Sequence, residues 1–154
     1  MKTMTVLLTL ALCFVGIAVA SADDVNMGTW KLNETKSTFT SGAAKNLTVV
    51  YEAAGDNLKV TVDGIDGDGK PSHTEWTGKF DGKDYPVTGD PNSDTRSYTK
   101  IDDRTVGLNA KKNGRPTTSG RIVVSPDGKS RTVTMTGIDS KGKEVKSIAV
   151  YDKQ

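Results

Sequence analysis

From Leu47 onward, apolar and polar residues alternate in short runs, the period-two pattern of half-buried strands. Leu58, Val60 and Val62 share one face against Lys59, Thr61 and Asp63. Thr74, Trp76, Gly78 and Phe80 likewise oppose His73, Glu75, Thr77 and Lys79. Turn clusters punctuate the runs at the roughly 8–12-residue spacing of all-β sandwiches and barrels. They include Ala54-Gly55-Asp56-Asn57, Asp66-Gly67-Asp68-Gly69, Gly89-Asp90-Pro91-Asn92, Lys112-Asn113-Gly114, Ser125-Pro126-Asp127-Gly128 and Asp139-Ser140-Lys141-Gly142. Connections this short pair each strand antiparallel with its predecessor. An open sheet of about ten such strands would leave its apolar face bare and two edges unpaired. The expected fold is therefore all-β, an antiparallel up-and-down meander barrel of about eight to ten strands.

An internal echo supports closure. Val60-Thr61-Val62-Asp63-Gly64-Ile65-Asp66-Gly67-Asp68-Gly69-Lys70 aligns with Val133-Thr134-Met135-Thr136-Gly137-Ile138-Asp139-Ser140-Lys141-Gly142-Lys143, with seven of eleven positions identical. Each copy follows a Val-Val run, Val49-Val50 or Val123-Val124. The unit is a three-strand meander used twice, which suits a barrel better than a Greek-key sandwich. Residues 33–46 lack alternation and read as a short helical turn or a loop, with Phe39 as a packing anchor.

Residues 1–22 change the picture of where such a barrel works. Lys2 precedes an apolar run from Val6 to Val19, and Ala18-Val19-Ala20-Ser21-Ala22 has small residues at the spacing a signal peptidase reads. The expectation is a signal peptide over 1–22 and a single barrel domain over 23–154, periplasmic or extracellular after cleavage. The run is shorter than the ~20 residues that span a bilayer, so no transmembrane segment is expected. Cys13 sits mid-run behind Leu12, which departs from a lipoprotein box. It is the only cysteine, so the cleaved protein would have no disulfide and no thiol.

Of 21 basic residues only Lys2 lies in that segment, leaving 20 against 19 acidic residues in the remainder. The charges are interspersed, which argues against nucleic acid or an anionic membrane as the partner. Apolar residues make up 34% of the chain, with many in the signal, so the core must be economical and any ligand modest in size or amphipathic.

Gly28-x-Trp30 opening the first strand, the long meander and the closing Ala149-Val150-Tyr151-Asp152-Lys153 resemble the outline of a calycin barrel, the lipocalin and fatty-acid-binding-like group. In that group the Trp plugs one end of the barrel, which implies that Trp30 is a structural end plug. The runs Gly28-Thr29-Trp30-Lys31-Leu32-Asn33, Asp81-Gly82-Lys83-Asp84-Tyr85-Pro86-Val87-Thr88-Gly89 and Ile101-Asp102-Asp103-Arg104-Thr105-Val106 are similar to those of small exported bacterial proteins with no assigned function. The resemblance implies a lipocalin-like barrel that binds a small molecule. Fatty-acid-binding members hold the ligand carboxylate with an Arg-x-Tyr pair on the last strand. Here Tyr151 matches but Ala149 stands in the Arg place, so the usual clamp is missing; Arg96, Arg121 and Arg131 on neighbouring strands are the substitutes.

The candidate cavity-wall residues are Trp76, Phe80, Tyr85, Tyr98 and Tyr151, with Arg96 and Arg121 as polar contacts. Tyr98 alternates with Arg96 and Lys100, a face that is wet on a simple barrel exterior. Turned inward, Arg96 beside Tyr98 makes a polar pocket for an anionic head group. His73, the one histidine, shares its face with Glu75, Thr77 and Lys79 and is expected in solvent. No Gly-x-Ser-x-Gly elbow supplies a nucleophile for it. Asp63, Asp66 and Asp68 beside glycines suggest a calcium loop, but its twelfth position is Thr77 rather than Glu. No catalytic residue, metal or cofactor is expected. The function expected is that of a monomeric, non-catalytic barrel binding a small apolar or amphipathic molecule. The alternative is a structural or stress-related envelope protein whose barrel is filled by its own side chains.

Overall fold

The computed structural model describes residues 24–139 and 141–154; the segment read as a signal peptide lies outside them. Eleven strands follow one another: β1 (Gly28–Leu32), β2 (Thr38–Phe39), β3 (Lys45–Ala54), β4 (Asn57–Ile65), β5 (Pro71–Gly78), β6 (Tyr85–Thr88), β7 (Thr95–Lys100), β8 (Thr105–Lys112), β9 (Arg115–Val124), β10 (Ser130–Ile138) and β11 (Glu144–Lys153). The helical content of the described residues is a single 3₁₀ turn, Glu34–Lys36, capped by Asn33, whose side-chain Oδ1 accepts the Lys36 N–H.

From β4 on, each strand pairs antiparallel with the one before it, and β1 pairs with both β3 and β11. The result is a closed ten-strand meander, as the alternation and turn spacing predict, and it is consistent with a calycin-like fold. The short β2 extends the β1 lane, taking Ser147 and Ile148 of β11 where β1 takes Tyr151 to Lys153. Residues 33–46, read from sequence as a turn or loop, are thus a turn, a two-residue strand, a loop and the first two residues of β3, with Phe39 packed on the core.

The echoed segments fold alike. In each, β4 or β10 is followed by an Asp whose Oδ1 accepts two backbone N–H groups of the turn: Asp66 from Asp68 and Lys70, Asp139 from Lys141 and Lys143, all at 2.9 Å. Gly69 and Gly142 occupy the left-handed conformation that closes each turn, at φ of +80° and +78°. Both turns reach the same end of the barrel, where Lys141 meets Asp68 at 3.3 Å.

One irregularity resets a face. A β-bulge between Asn46 and Thr48 puts Asn46 opposite Gly64 and leaves Leu47 outside and exposed. Strict alternation through Leu47 from Val49 and Tyr51 would have turned Leu47 into the barrel.

On several strands the in-pointing side chains are large toward one end of the barrel and small toward the other. On β5 they run Trp76, Thr74, Ser72; on β8, Val106, Leu108, Ala110; on β9, Val124, Ile122, Gly120, Thr118; on β11, Tyr151, Ala149, Ser147. Large residues therefore crowd the end that holds Trp30, called here the closed end, and small ones surround the opposite mouth. Gly120 marks the change, because a methyl group there would stand 2.6 Å from the Thr134 carbonyl and against the Met135 sulfur. Gly120→Ala is expected to lower stability by about 1–3 kcal/mol through overpacking. Urea denaturation would measure it, and an unchanged midpoint would mean β9 and β10 part freely at this level.

Candidate functional site

A cavity of about 360 Å³ occupies the mouth half of the barrel. Its walls come from the small in-pointing residues, including Ser72, Thr74, Ala110, Thr118, Gly137 and Ser147. Leu108, Met135 and Val145 supply its apolar surface, and the echoed turns, through Asp66, Asp68, Asp139 and Lys141, form part of its rim. Arg96 of β7 lines it as well, one in-pointing place toward the mouth from Tyr98 and directly across from Ala110. The Arg96 and Tyr98 face thus turns inward, the second of the two orientations open from sequence.

Arg96 is 13% exposed at its side chain and makes one ion pair, with Nη2 donating 3.2 Å to Asp90 Oδ2. Its Nε–H is buried without an acceptor. Asp90 does not depend on that bond: its Oδ1 accepts the Asn92 N–H at 2.8 Å and its Oδ2 accepts the Ser93 hydroxyl. Burial pushes the Tyr98 hydroxyl up to about 12, with the Arg96 charge pulling it partway back.

Below the cavity the barrel is filled. Trp76 meets Tyr98, Tyr85 and Phe80 at ring-centroid distances of 4.7, 5.7 and 6.4 Å, and Phe80 also reaches Tyr51 at 6.3 Å. Trp30, 0% exposed, anchors the closed end through Nε1, which donates 2.8 Å to the Asn26 carbonyl. Arg131, only 2% exposed, points into this half. Its guanidinium lies 4.7 Å from the Trp30 ring centre and 5.0 Å from those of Tyr51 and Tyr151. Nε and Nη1 have no hydrogen-bond acceptor, so ring faces take the place of a carboxylate. Burial raises the Tyr151 hydroxyl to about 12 against the opposing pull of Arg131.

The residues proposed from sequence thus fall into three places. Arg96 is in the cavity wall. Trp76, Phe80, Tyr85, Tyr98 and Tyr151 lie in the packed closed half, and Arg121 is exposed between in-pointing Gly120 and Ile122. Of the three arginines weighed as substitutes for the absent clamp, Arg131 is the one beside Tyr151. Leu108, Met135, Val145 and Asp90 were not singled out. No local pattern marks them: strand register brings Leu108, Met135 and Val145 to the cavity, and the loop between β6 and β7 brings Asp90.

His73 is on the outer surface, where its Nδ1 is 2.6 Å from Asp63 Oδ1 and Glu75 pairs with Lys59 at 2.7 Å. The bond to Asp63 raises the His73 pKa above the usual value. Among the described residues no group of three or more His, Cys, Asp or Glu is arranged to hold a metal ion, and no helix is long and apolar enough to cross a membrane. No family model matches the chain, and no curated protein matches it.

Two outcomes follow from these charges. A raised His73 pKa makes its stabilising contribution full below pH ~6.5 and lost as pH climbs through the folded value. NMR titration should place the His73 pKa above ~6.5 and return it toward that value in Asp63→Asn; an unchanged value in the variant would show the pair is not formed. Arg131→Met, which removes an unpaired buried charge but keeps much of the volume, is expected to leave stability unchanged or raise it by about 1–4 kcal/mol. A lowered thermal midpoint would mean that the three rings more than offset the desolvation of the charge.

Proposed function

We propose that this chain is an exported, non-catalytic carrier of the calycin kind, which holds one small apolar or amphipathic molecule in its mouth cavity. The observation that carries the reading is the cavity itself: about 360 Å³, open at one end, with Leu108, Met135 and Val145 on its wall among small polar side chains such as Ser72, Thr74 and Ser147, and with Arg96 buried beside it. Small-molecule sites have this size and combine apolar wall with placed polar groups. A barrel built only as a scaffold gains nothing from leaving that volume empty, since unfilled space forfeits packing contacts.

The placement of ionisable groups supports binding over catalysis. His73 is outside the barrel, and the rim carboxylates Asp66 and Asp139 are engaged by the N–H groups of their own turns. Hydrogen bonds from the backbone of Lys143 and Lys141 hold the Asp139 pKa below the ordinary range, so it is a poor proton acceptor at neutral pH. Asp90 is engaged by Arg96 and Ser93. The leader over 1–22 supports work in the periplasm or outside the cell, where a carrier needs no disulfide if its barrel is well packed.

Native mass spectrometry of protein purified gently from its own exported fraction, followed by solvent extraction, tests the reading. A reproducible adduct of one chemical class is expected. Protein that is recovered unliganded and ignores a panel of fluorescent lipids would overturn it, leaving a structural envelope protein.

A further inference from the structure

Resting on the carrier reading, we infer that the molecule held is an uncharged aromatic compound, phenol-like or naphthol-like, whose ring lies against the Arg96 guanidinium. The barrel contains its own precedent for such a contact. Arg131, 2% exposed, leaves Nε and Nη1 without an acceptor and is surrounded by Trp30, Tyr51 and Tyr151, with ring centres 4.7, 5.0 and 5.0 Å from its guanidinium carbon. Ring faces stabilise that cation where no carboxylate does.

Arg96 has the same need and only part of the answer. Its Nε–H is likewise buried without an acceptor, and its single ion pair is the one with Asp90, at 3.2 Å. Among the described residues no ring lies over the Arg96 guanidinium, and none of those lining the cavity is aromatic. Ala110, its partner across the β7–β8 ladder, is too short to cover it. Rings from the chain itself complete Arg131; at Arg96 the ring has to arrive with the guest.

Charge sets the second property of the guest. Every cation in the cavity wall is engaged, Arg96 by Asp90, Lys141 by Asp68 and Lys146 by Glu144. Asp66 and Asp139 stand at the rim with no cationic partner among the described residues, each held by N–H groups of its own turn. An anion would find no free cation and would pass two carboxylates on its way in. A cation would meet Arg96 at the inner end. An uncharged molecule avoids both repulsions.

The rest of the wall fits such a guest. Met135 brings a thioether, which packs favourably against ring edges, and Leu108 and Val145 add apolar surface. The hydroxyls of Ser72, Thr74 and Ser147 suit a hydroxyl or carbonyl substituent on the ring. At about 360 Å³ the cavity lies near the lower end of small-molecule sites, which suits one or two fused rings.

Calorimetric titration of the intact exported protein with 2-naphthol, its saturated analogue decahydro-2-naphthol and 2-naphthoate tests the proposal. 2-Naphthol is expected to bind at least ~5-fold more tightly than the saturated alcohol, the gain of one desolvated cation–π contact, and no less tightly than 2-naphthoate. Burial of apolar area alone would favour the saturated alcohol, the more apolar of the two. Arg96→Met, which removes the cation and keeps much of the volume, should bring the two alcohols to within about twofold of each other. A saturated alcohol that binds as tightly as 2-naphthol, or 2-naphthoate binding ~10-fold more tightly than 2-naphthol, would overturn the inference and leave the carrier reading standing. A ring preference that survives Arg96→Met, in protein with a wild-type circular dichroism spectrum, would reflect cavity shape and overturn it as well. Should Arg96→Met fail to fold, NMR of the unmutated protein decides. 2-Naphthol should move the Arg96 Nε–H and δ-methylene resonances upfield through its ring current, and resonances that stay in place would sink the contact. If no probe binds but the exported protein carries an extractable adduct, an aromatic adduct upholds the inference and a non-aromatic one overturns it alone. No binding of any probe, together with unliganded protein from the exported fraction, would overturn the carrier reading and the inference with it.

Discussion

The pairing of β1 on both its edges is the constraint on which the rest of the barrel depends. Gly28–Lys31 pair with β3 on one side and Trp30–Leu32 with β11 on the other, so each of the ten barrel strands has a neighbour on both sides. Trp30 sits at the centre of β1 with its ring wholly buried, its N–H held by Asn26 and its faces covered by Arg131 and Lys153. Closure and the sealing of one end are therefore the work of a single element. Toward the mouth the same lane thins to β2, two residues long and followed by the Thr40 contacts to Lys146.

Closing ten strands makes an interior wider than a barrel of about eight strands, which side chains just fill. What fills it is then a matter of side-chain volume at each level. Trp, Tyr, Phe and Arg occupy the closed half, while Ser, Thr, Ala and Gly leave the mouth half open. The two buried arginines mark two solutions to the problem of a cation in a dry space. Arg131 is surrounded by ring faces and sealed; Arg96 is half-satisfied by an aspartate at the edge of open volume.

Much of this is legible along the chain. Period-two alternation in Leu58-Lys59-Val60-Thr61-Val62 and turn chemistry such as Asn113-Gly114, both with positive φ, are local properties that survive into the barrel unchanged. The echoed segments announced their matching turns for the same reason: an Asp that caps its own turn does so whatever lies beyond it. The aromatic residues read as candidate wall lie instead in the packed half. Alternation says which face a side chain takes and not how far down the barrel it sits.

By itself, then, the sequence determined the all-β meander and its closure, because alternation and turn chemistry act within a few residues and so many short paired strands cannot leave their edges bare; which face of most strands turns inward it left open. Only the tertiary structure decided where the space is and which charges share it. Arg96 meets Asp90 through a loop, Arg131 meets Trp30 and Tyr51 across the barrel, and a single bulge turns Leu47 out and Asn46 in. Each depends on register and curvature summed around the closed sheet, which no local window of the chain contains.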